Sequence, residues 1–390
     1  MRIAHVITRL IVGGAQENTI ASVLGLQQKP GLDVHLISGP STGPEGSLVS
    51  SFAESPQSLT ILPDLVRPIH PWKDYLARRQ LARCFREQRP DIVHTHSGKA
   101  GVLGRLAAFE ARVPIIIHTI HGPSFGPFQG PLANWSLRWA ERRAGKITNH
   151  FVVVAEAMAA QYLAAGIGQP RQYTKIFSGF PLEPYTSVRN DPSLRAKWGI
   201  APNDIVIGKI ARLFKLKGHD DLFSMAPALV RSFPQIKFLL VGDGPWRARF
   251  EQRVRTLNLQ KHFVFTGLVP PSEVPELVGI MDILVHLSLR EGLPRALPMA
   301  LAAARPIVAY DCDGAREVCL ENETGFLLQP GDIAGLTERL GLLVRDSALR
   351  ERLGHHGRQF VRQRFAVEGM VDDLYALYLK LAAEKRMQPS

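Results

Sequence analysis

Two basic side chains, Arg212 and Lys217, lie five positions apart in a segment that follows a predicted apolar strand. The segment reads GKIARLFKLKGHDD, so that Gly218 separates the lysine from a predicted helix. A guanidinium fork and an ammonium charge together suit a diphosphate. Ligands of open α/β sheets bind beyond the carboxyl ends of the strands, where this segment is expected. The pattern favours a diphosphate clamp, and a solvated basic loop, to which we assign Lys215, is the alternative.

The segment REGLPRALPMALAAARPIVAYD places the carboxylate of Glu291 between an apolar strand and a predicted helix rich in alanine and leucine. A carboxylate at this position can accept hydrogen bonds from sugar hydroxyls. The backbone N–H groups of Leu293 and Arg295, near the expected start of the helix, suit a phosphate or a sugar hydroxyl. The alternative is that Glu291 only provides a favourable charge for the helix dipole, as a glutamate at a helix start often does.

Glycine-containing turns follow two other predicted strands. Gly13 and Gly14 stand between strand one and a helix, where a ligand can approach the backbone and an anion can meet the helix N-terminus. The dinucleotide fingerprint Gly-x-Gly-x-x-Gly is absent there. Gly242, in VGDGP, would let a nucleotide lie against the backbone. Both turns are equally consistent with a plain structural role.

Four histidines, His94, His96, His118 and His121, end two predicted strands of the first half. Metal ligation is one interpretation, but no nearby Asp or Glu completes a site with convincing spacing. Alternation along a strand also points neighbouring side chains to opposite faces. We expect most of them to be hydrogen-bonded core or rim residues and one of them to serve the site.

The elements that carry these residues are short apolar strands alternating with helical stretches, which is typical of parallel βαβ sheets. Strands are predicted in the first half at 3–7, 34–38, 59–62, 92–95, 115–119 and 151–154. Strands are predicted in the second half at 205–210, 237–241, 262–266, 283–286, 307–309 and 325–328. Helical patterns include residues 18–26, 74–88 and 367–384.

The periodicity is lost between residues 178 and 203, in a segment rich in proline, serine and glycine, where we place a linker. The predicted domains are residues 1–180, residues 181–365, and a helix within 366–390 that packs back toward the first domain. A chain of 390 residues is long enough for two α/β cores. The predicted fold class is therefore α/β, with two Rossmann-like domains facing each other across a cleft.

The composition is that of an ordinary globular protein, with 45% hydrophobic and 21% charged residues. Only three cysteines occur, without a Cys-x-x-Cys pair, which favours a reducing, cytoplasmic location. No apolar run is long enough to span a membrane. The net charge of +12 attracts polyanions such as nucleic acid, anionic lipid or phosphorylated small molecules. Basic, aromatic stretches at 73–89 and 135–146 predict either a peripheral membrane contact or a solvated outer face.

Together these segments resemble the retaining family 4 glycosyltransferases of GT-B architecture (glycosyl transferases group 1). The resemblance covers nearly the whole chain, through GGAQE, HTHSGKAGVLGR, HTIHG, ARLFKLKGHDDL, VGDGP, FTGL and EGLPRAL followed by AAARPIVA. It implies transfer of a hexose-type sugar from a UDP- or GDP-linked donor to a hydroxyl acceptor. A lipid-linked or polysaccharide-precursor glycan at the inner face of the cell membrane is the implied acceptor. It also implies retention of anomeric configuration and no bound metal or other cofactor.

The resemblance implies roles for individual residues. The first domain would bind the acceptor and the second the donor. Arg212 and Lys217 would bind the donor diphosphate, Glu291 would contact the donor sugar, and His121 would face the sugar being transferred. The implied catalytic residues are His121, Arg212, Lys217 and Glu291. The implied donor-binding residues are Gly13, Gly14, Arg212, Lys217, Gly242, Gly267, Glu291, Gly292, Leu293, Arg295 and Met299.

Met299 departs from the family pattern, which has a second glutamate eight positions after Glu291 to accept the ribose hydroxyls. Methionine cannot accept these hydrogen bonds, and an unpaired polar group costs roughly 1–3 kcal/mol. A weakly active or non-catalytic sugar-nucleotide binder is therefore the first alternative. A nucleotide-sugar epimerase would require catalytic carboxylates and histidines in the cleft, and it fits Arg212, Lys217 and Glu291 less well. A nucleic-acid-binding protein is disfavoured because the basic residues are spread along the chain. We interpret Asp311 and Asp313, an Asp-x-Asp pair, as part of an acidic loop.

Overall fold

The chain folds into two compact units in the computed structural model, which describes residues 1–41 and 46–387. The first unit comprises Met1–Phe180 together with the segment from Val367 onward, and the second unit comprises Pro181–Ala366. The change from one unit to the other at Phe180 and Pro181 lies within the segment that lacks periodicity. None of the helices in the described part of the chain is long and apolar enough to cross a membrane.

The first unit is built on a parallel sheet of seven strands in the order β3-β2-β1-β4-β5-β6-β7. Its strands are β1 (Arg2–Ile7), β2 (Asp33–Ser38), β3 (Leu59–Ile61), β4 (Ile92–His96), β5 (Ile115–Ile120), β6 (His150–Val153) and β7 (Tyr173–Lys175). Its helices are α1 (Gly14–Gln27), α2 (Pro71–Gln88), α3 (Gly98–Glu110), α4 (Pro131–Gly145), α5 (Glu156–Ala164) and, returning after the second unit, α14 (Val367–Met387).

The second unit is built on a parallel sheet of six strands in the order β10-β9-β8-β11-β12-β13. Its strands are β8 (Ile205–Ile210), β9 (Ile236–Val241), β10 (Phe263–Gly267), β11 (Ile283–His286), β12 (Ile307–Tyr310) and β13 (Gly325–Leu328). Its helices are α6 (Glu183–Thr186), α7 (Pro192–Lys197), α8 (His219–Ser232), α9 (Arg247–Thr256), α10 (Val274–Gly279), α11 (Ala296–Ala302), α12 (Ile333–Arg345) and α13 (Ser347–Arg364).

Both sheets follow the doubly wound strand order of Rossmann-like folds, 3-2-1-4-5-6, and the first unit adds β7 at its edge. The predicted α/β class with two Rossmann-like units is therefore confirmed. All twelve predicted strands are present, with ends that differ by one residue or less. Strand β7 was not predicted, because its three residues, Tyr-Thr-Lys, contain no apolar run.

The first sheet is buried on both faces. Helices α1 and α14 cover one face, where Ile3 and Val23 pack in one cluster with Val371 and Leu374. Helices α2 and α3 cover the other face. The contact between α1 and α14 is close, because a Cβ atom at Gly25 would lie 2.4 Å from a methyl carbon of Val371. The C-terminal helix thus belongs to the first unit.

Candidate active site

The strand order of the second sheet reverses between β8 and β11, and the carboxyl ends of these two adjacent strands form the crevice where ligands of this fold bind. Arg212 and Lys217 follow β8, and Glu291 follows β11. The two loops are joined by a backbone hydrogen bond of 2.9 Å, which the N–H of Leu289 donates to the carbonyl of Leu216. Residues 74 positions apart in the chain are thereby brought into contact.

Lys217 and Glu291 form a half-buried ion pair at this point. The ammonium of Lys217 donates to Oε1 of Glu291 at 2.5 Å, and Nε2 of His286 lies 3.5 Å from the same oxygen. Burial alone would raise the pKa of Glu291, but His286 and Lys217 outweigh it and hold that pKa well below its usual range. Glu291 is therefore a fixed, ionised acceptor at neutral pH.

The backbone at Gly218 fixes where the lysine lies. Gly218 has a φ of 64°, and a Cβ atom there would lie 2.1 Å from the carbonyl oxygen of Leu287 at the end of β11. Both the left-handed conformation and the close approach require glycine. Helix α8 begins with the next residue, so the strand, the lysine and the helix are joined by a turn that no larger residue fits.

Arg212 lies in the same loop with its side chain exposed. Its guanidinium carbon is 4.9 Å from the ring centre of Phe214, a cation–π distance. No acidic partner of Arg212 is present among residues 1–41 and 46–387. Its N–H donors are therefore available to an anion. Lys215, which we assigned to a solvated loop, is exposed.

A lysine that the sequence analysis did not consider, Lys209, lies under this site. Its side chain comes from β8 and is 1% exposed, and its ammonium has no hydrogen-bond partner in the described part of the chain. Burial and the charge of Lys217 lower the pKa of Lys209 to about 7, against the opposing effects of Glu291 and Asp221. A lysine inside the apolar strand IVIGKI was the signal that could have identified it.

The glycine turns after β9 and β10 lie at the same edge of the sheet. A Cβ atom at Gly242, which has a φ of 131°, would lie 2.4 Å from the carbonyl oxygen of Ala211. Gly242, directly after β9, is bridged to Gly267, the last residue of β10. The predicted donor-binding glycines of this unit therefore lie at the carboxyl edge, next to the loop that carries Arg212.

The helix after Glu291 begins later than expected. Helix α11 starts at Ala296, so that Gly292, Leu293 and Arg295 precede it, and Leu293 is only 8% exposed. The proline that follows Leu293 disfavours helical conformation at that residue, which explains the later start. Met299 lies within α11 and is half-buried.

The two carboxylates of the Asp-x-Asp pair are engaged within the second unit. Asp311 binds the guanidinium of Arg316 through both oxygens. Asp313 accepts the backbone N–H of Glu291 at 2.7 Å. Asp313 therefore helps to hold the backbone of the site glutamate in place.

The first unit carries the remaining predicted site residues at the carboxyl edge of its own sheet. Helix α1 begins at Gly14 directly after Gly13, and no side chain caps its N-terminus. His121 follows β5 and is half-buried. His121 thus lies directly at the end of its strand, whereas Gly13 and Gly14 end the loop that joins β1 to α1.

Histidines of β1, β4 and β5 form a continuous hydrogen-bonded chain on the face that α1 and α14 cover. We call this set the histidine chain, and its members in order are Thr119, His94, Tyr378, His5, His96 and His121. Thr119 Oγ1 lies 2.6 Å from His94 Nε2, and the Tyr378 hydroxyl lies 2.5 Å from His94 Nδ1 and 3.2 Å from His5 Nε2. His5 Nδ1 lies 2.9 Å from His96 Nε2, and His96 Nδ1 lies 3.0 Å from His121 Nε2.

The expectation that most of the histidines are hydrogen-bonded is confirmed, and strand alternation places His94 and His96 on one face. His118 points to the opposite face, where Nδ1 lies 2.9 Å from the hydroxyl of Thr95. His5 and Tyr378 were not predicted as members of this cluster. These two residues lie 373 positions apart, so no local pattern could join them.

A cavity of about 1070 Å³ also opens in the first unit, at the amino ends of β5 and β6. Its lining includes Arg142, Lys146 and Lys385, but none of the predicted site residues. The negative ends of helices α4 and α14 lie there and disfavour an anion. We assign it no role in the site.

Comparison with solved structures gives the class of protein. Anabaena Alr3699/HepE, solved with UDP-glucose, is similar with a TM-score of 0.81 at 21% identity, over 97% of this chain and 100% of that one. Sucrose-phosphate synthase of Thermosynechococcus elongatus is similar with a TM-score of 0.77 at 18% identity, over 98% of this chain and 100% of that one. The protein has the GT-B fold of glycosyltransferases.

Sequence comparison gives the family. The model for glycosyl transferases group 1 matches residues 190–360, and that for the glycosyl transferase 4-like domain matches residues 14–174. The chain belongs to the group 1 glycosyltransferases of family 4 and is a glycosyltransferase. It is 26% identical to the UDP-Gal:alpha-D-GlcNAc-diphosphoundecaprenol alpha-1,3-galactosyltransferase of Escherichia coli, over 99% of this chain and 98% of the relative. It is 24% identical to the capsular polysaccharide biosynthesis glycosyltransferase CapM of Staphylococcus aureus, over 90% of each chain.

Proposed function

We propose that this enzyme transfers a hexose from a UDP- or GDP-linked donor to a hydroxyl group of a glycan, with retention of configuration and without a metal ion. The observation that carries the proposal is the Lys217–Glu291 ion pair at the switch point of the second sheet. It presents an ammonium and an ionised carboxylate side by side. These are the groups that a sugar diphosphate requires, a cation for the phosphates and an acceptor for the sugar hydroxyls.

In this proposal Arg212 and Lys217 bind the diphosphate. The bond between the anomeric carbon and the β-phosphate oxygen breaks, and both electrons stay with the diphosphate. The two cations stabilise the negative charge that develops there, which lowers the barrier. The acceptor hydroxyl forms its new bond on the same face of the sugar, and its proton goes to the departing phosphate. Glu291 holds the sugar, together with the backbone from Gly292 to Arg295.

The remaining residues of the proposed donor site come from glycine turns and from the first unit. Gly242 and Gly267 would let the nucleotide lie against the backbone, since neither carries a side chain at the sheet edge. Gly13 and Gly14 would approach the donor from helix α1, and His121 would face the sugar. The ribose would lie near Met299.

A nucleotide-binding measurement tests the donor site. We would titrate the protein with UDP, GDP and ADP by calorimetry in the presence of EDTA. Lys217→Met is expected to weaken binding of the preferred diphosphate by about tenfold to a hundredfold, the value of a charge-assisted hydrogen bond. Lys215→Met, an exposed lysine of the same loop, is the matched control. Binding that requires a divalent cation, or an equal effect of both variants, would contradict the proposal.

The retention of configuration has its own test. The coupling constant of the anomeric proton in the product, measured by NMR against that of the donor, reports it directly. A product with inverted configuration would require a different mechanism at this site, even if the nucleotide binds as proposed.

We further propose a lipid-linked or polysaccharide-precursor acceptor, met at the cytoplasmic face of the membrane. The named relatives of Escherichia coli and Staphylococcus aureus act in such chemistry, and helix α4 supports it. Leu132, Trp135 and Trp139 of α4 are 79%, 66% and 57% exposed, and Arg143 is exposed nearby. Aromatic rings beside basic residues suit a surface of anionic lipids.

Helix α2 supports a membrane contact less well. Arg83 pairs with Glu87, and Arg86 pairs with Glu110, so part of its charge is already neutralised. Sedimentation with vesicles of phosphatidylcholine, with and without phosphatidylglycerol, distinguishes the two helices. Replacement of Trp135 and Trp139 by serine is expected to abolish binding to the anionic vesicles at low salt. Unchanged binding of that variant would exclude α4 as the contact.

A further inference from the structure

The histidine chain uses every ring nitrogen of its three fully buried members. His5, His94 and His96 are at most 1% exposed, and each has both nitrogens within hydrogen-bond distance of another member. At the end of the chain, Nε2 of His121 is bonded to His96. The Nδ1 atom of His121 has no partner within residues 1–41 and 46–387. The chain therefore ends in one available nitrogen on a half-buried residue at the sheet edge.

The rings of the chain are neutral at physiological pH. Burial lowers the pKa of His5 to about 3 and that of His121 to about 4, and it holds the pKa values of His94 and His96 well below their usual range. A neutral imidazole has one N–H donor and one acceptor nitrogen. The Tyr378 hydroxyl likewise has one hydrogen to donate. If His94 and His5 both donated to Tyr378, the hydrogen of its fully buried hydroxyl would have no acceptor in the described residues, which is unfavourable. All donors of the chain therefore point the same way, and two arrangements remain.

Thr119 distinguishes between the two arrangements. In the first, its hydroxyl donates to His94, every following group donates to the next one, and His121 receives at Nε2 and carries its hydrogen on Nδ1. In the reverse arrangement His94 donates to Thr119, and the hydrogen of the threonine hydroxyl needs another acceptor. Thr119 is 4% exposed and has no second partner in the described residues. An unpaired buried hydroxyl is unfavourable, which selects the first arrangement.

We propose that the histidine chain fixes His121 in the tautomer with hydrogen on Nδ1, and that Tyr378 and Thr119 are positioning residues for the transfer reaction. The Nδ1–H of His121 is then a permanent donor for an oxygen of the sugar and never competes as an acceptor. The tautomer follows from the chain alone. Its use on the sugar rests on the proposed function, in which His121 faces the donor.

A metal ion is the other occupant that this cluster suggests. Ligand atoms of His5, His94 and His96 lie within 4.8 Å of one another. The nitrogens that would bind an ion are the ones that hold the chain together, and the group includes no carboxylate to balance a buried charge. The hydrogen-bonded chain therefore accounts for these residues better than a cation does.

Histidine ring ¹⁵N shifts, measured by long-range ¹H–¹⁵N correlation, test the tautomer of His121 without any substrate. The signals are assigned by their loss in His121→Gln. In the wild type we expect a protonated Nδ1 and an unprotonated Nε2. A protonated Nε2, or shifts of a metal-bound ring that EDTA abolishes, would overturn the inference.

Variants at the two positioning residues test the coupling. Tyr378→Phe interrupts the chain, and Thr119→Val removes its first donor, so both should give a mixture of tautomers at His121. Thr119→Ser keeps the hydroxyl and should restore the single tautomer. Tyr375→Phe is the matched control on α14, because the Tyr375 hydroxyl donates to the carbonyl of Pro30 at 3.2 Å, outside the chain.

Kinetics connect the tautomer to catalysis. We expect Tyr378→Phe and Thr119→Val to lower kcat/KM for the donor about fivefold, the value of one hydrogen bond, while Thr119→Ser and Tyr375→Phe stay near the wild type. If Thr119→Val shifts the tautomer and leaves kcat/KM unchanged, the role in catalysis is wrong. The NMR measurement needs no donor, so it is independent of the nucleotide titration. Normal nucleotide binding with the wrong tautomer at His121 would contradict this inference alone. The expected tautomer without nucleotide binding would contradict the proposed function alone.

Discussion

In the proposed donor site, Met299 would change one contact without disturbing the Lys217–Glu291 ion pair. Lys217 and Glu291 are held by loops after β8 and β11, whereas Met299 lies on α11 beyond them. A thioether is at best a weak acceptor and cannot take two hydroxyl hydrogen bonds. The effect of this residue should therefore fall on the affinity for the donor and leave the chemistry of transfer intact.

Met299→Glu should restore an acceptor for the ribose. We expect the KM for the donor to fall by about tenfold, in the range that one satisfied polar group provides, with kcat little changed. The measurement is steady-state kinetics with the preferred donor. Met299→Leu, which keeps an apolar side chain of similar size, is the control and should behave like the wild type. A lower kcat with unchanged KM in Met299→Glu would show that the ribose is bound elsewhere.

Lys209 makes stability depend on pH. Its pKa is about 7 in the folded protein, below its ordinary value of 10.5. Between these two values the unfolded chain binds a proton that the folded chain lacks, so this group makes stability rise with pH across that window. Below pH 7 the buried ammonium is charged and destabilises the fold.

Lys209→Met should remove this dependence. We expect the variant to have a higher Tm than the wild type at about pH 6, and the difference to shrink toward about pH 10, since each pKa unit is worth about 1.4 kcal/mol. Differential scanning calorimetry over this range measures it, and Lys215→Met, an exposed lysine, should show no such trend. A constant difference at all pH values would indicate a packing effect instead.

At the scale of elements, the site depends on how closely two loops approach each other. Gly218 and Gly199 have nearly the same φ, 64° and 65°, but a Cβ atom at Gly199 would meet nothing within 4 Å. A substitution at Gly199 therefore reports the strain of the conformation alone. The same substitution at Gly218 is expected to move Lys217 away from Glu291 as well, because its Cβ atom would meet the carbonyl oxygen of Leu287.

Gly218→Ala should lower both stability and activity. We expect a loss of at least 1–3 kcal/mol for the forced backbone shift, of which about 1 kcal/mol is the conformational strain shared with Gly199→Ala. Urea denaturation and the KM for the donor measure the two effects. Gly199→Ala should lower stability only slightly and leave the KM unchanged. Equal KM values for both variants would mean that the loop adapts.

The elements could be predicted from sequence because their signals are local. Apolar runs of four to six residues between glycine and proline turns mark the strands, and the family motifs mark the loops after β8 and β11. Lys209 could have been predicted as a site residue only from the single charge within its apolar strand. The start of α11 shifted because Pro294 restrains the residue before it.

The histidine chain could be predicted only in part. The positions of its histidines on β4 and β5 predicted that they are hydrogen-bonded. The contact between Tyr378 and His94 could not be predicted, because these residues lie 284 positions apart. No periodicity in α14 singles out that tyrosine. Contacts between distant segments depend on the docking of whole elements, which a single sequence does not encode in any local pattern.

At the scale of the whole molecule, the first unit is completed by the last helix. Val371 of α14 is 3% exposed and packs on α1 at Gly25, whereas its neighbour Asp372 is exposed and pairs with Lys29. A buried, unpaired carboxylate is strongly destabilising, and an exposed ion pair contributes little.

Val371→Asp should therefore destabilise the first unit selectively. We expect a loss of about 3 kcal/mol or more, visible as early proteolysis within residues 1–180, while peptides from 181–366 stay protected. Limited proteolysis followed by mass spectrometry gives the pattern. Asp372→Ala is the matched control and should be cut like the wild type. Simultaneous cleavage of both units in Val371→Asp would show that they unfold together.

Because α14 follows the second unit in the chain, the two units cannot mature in the order in which they are synthesised. When the ribosome has finished strands β1 to β7, the face of the first sheet that α14 later covers still exposes the apolar partners of Val371 and Leu374. The second unit can fold before those partners are covered, since domains generally fold as they emerge. The first unit of a nascent chain therefore stays incomplete while the second unit is synthesised. A chaperone would be needed during that interval.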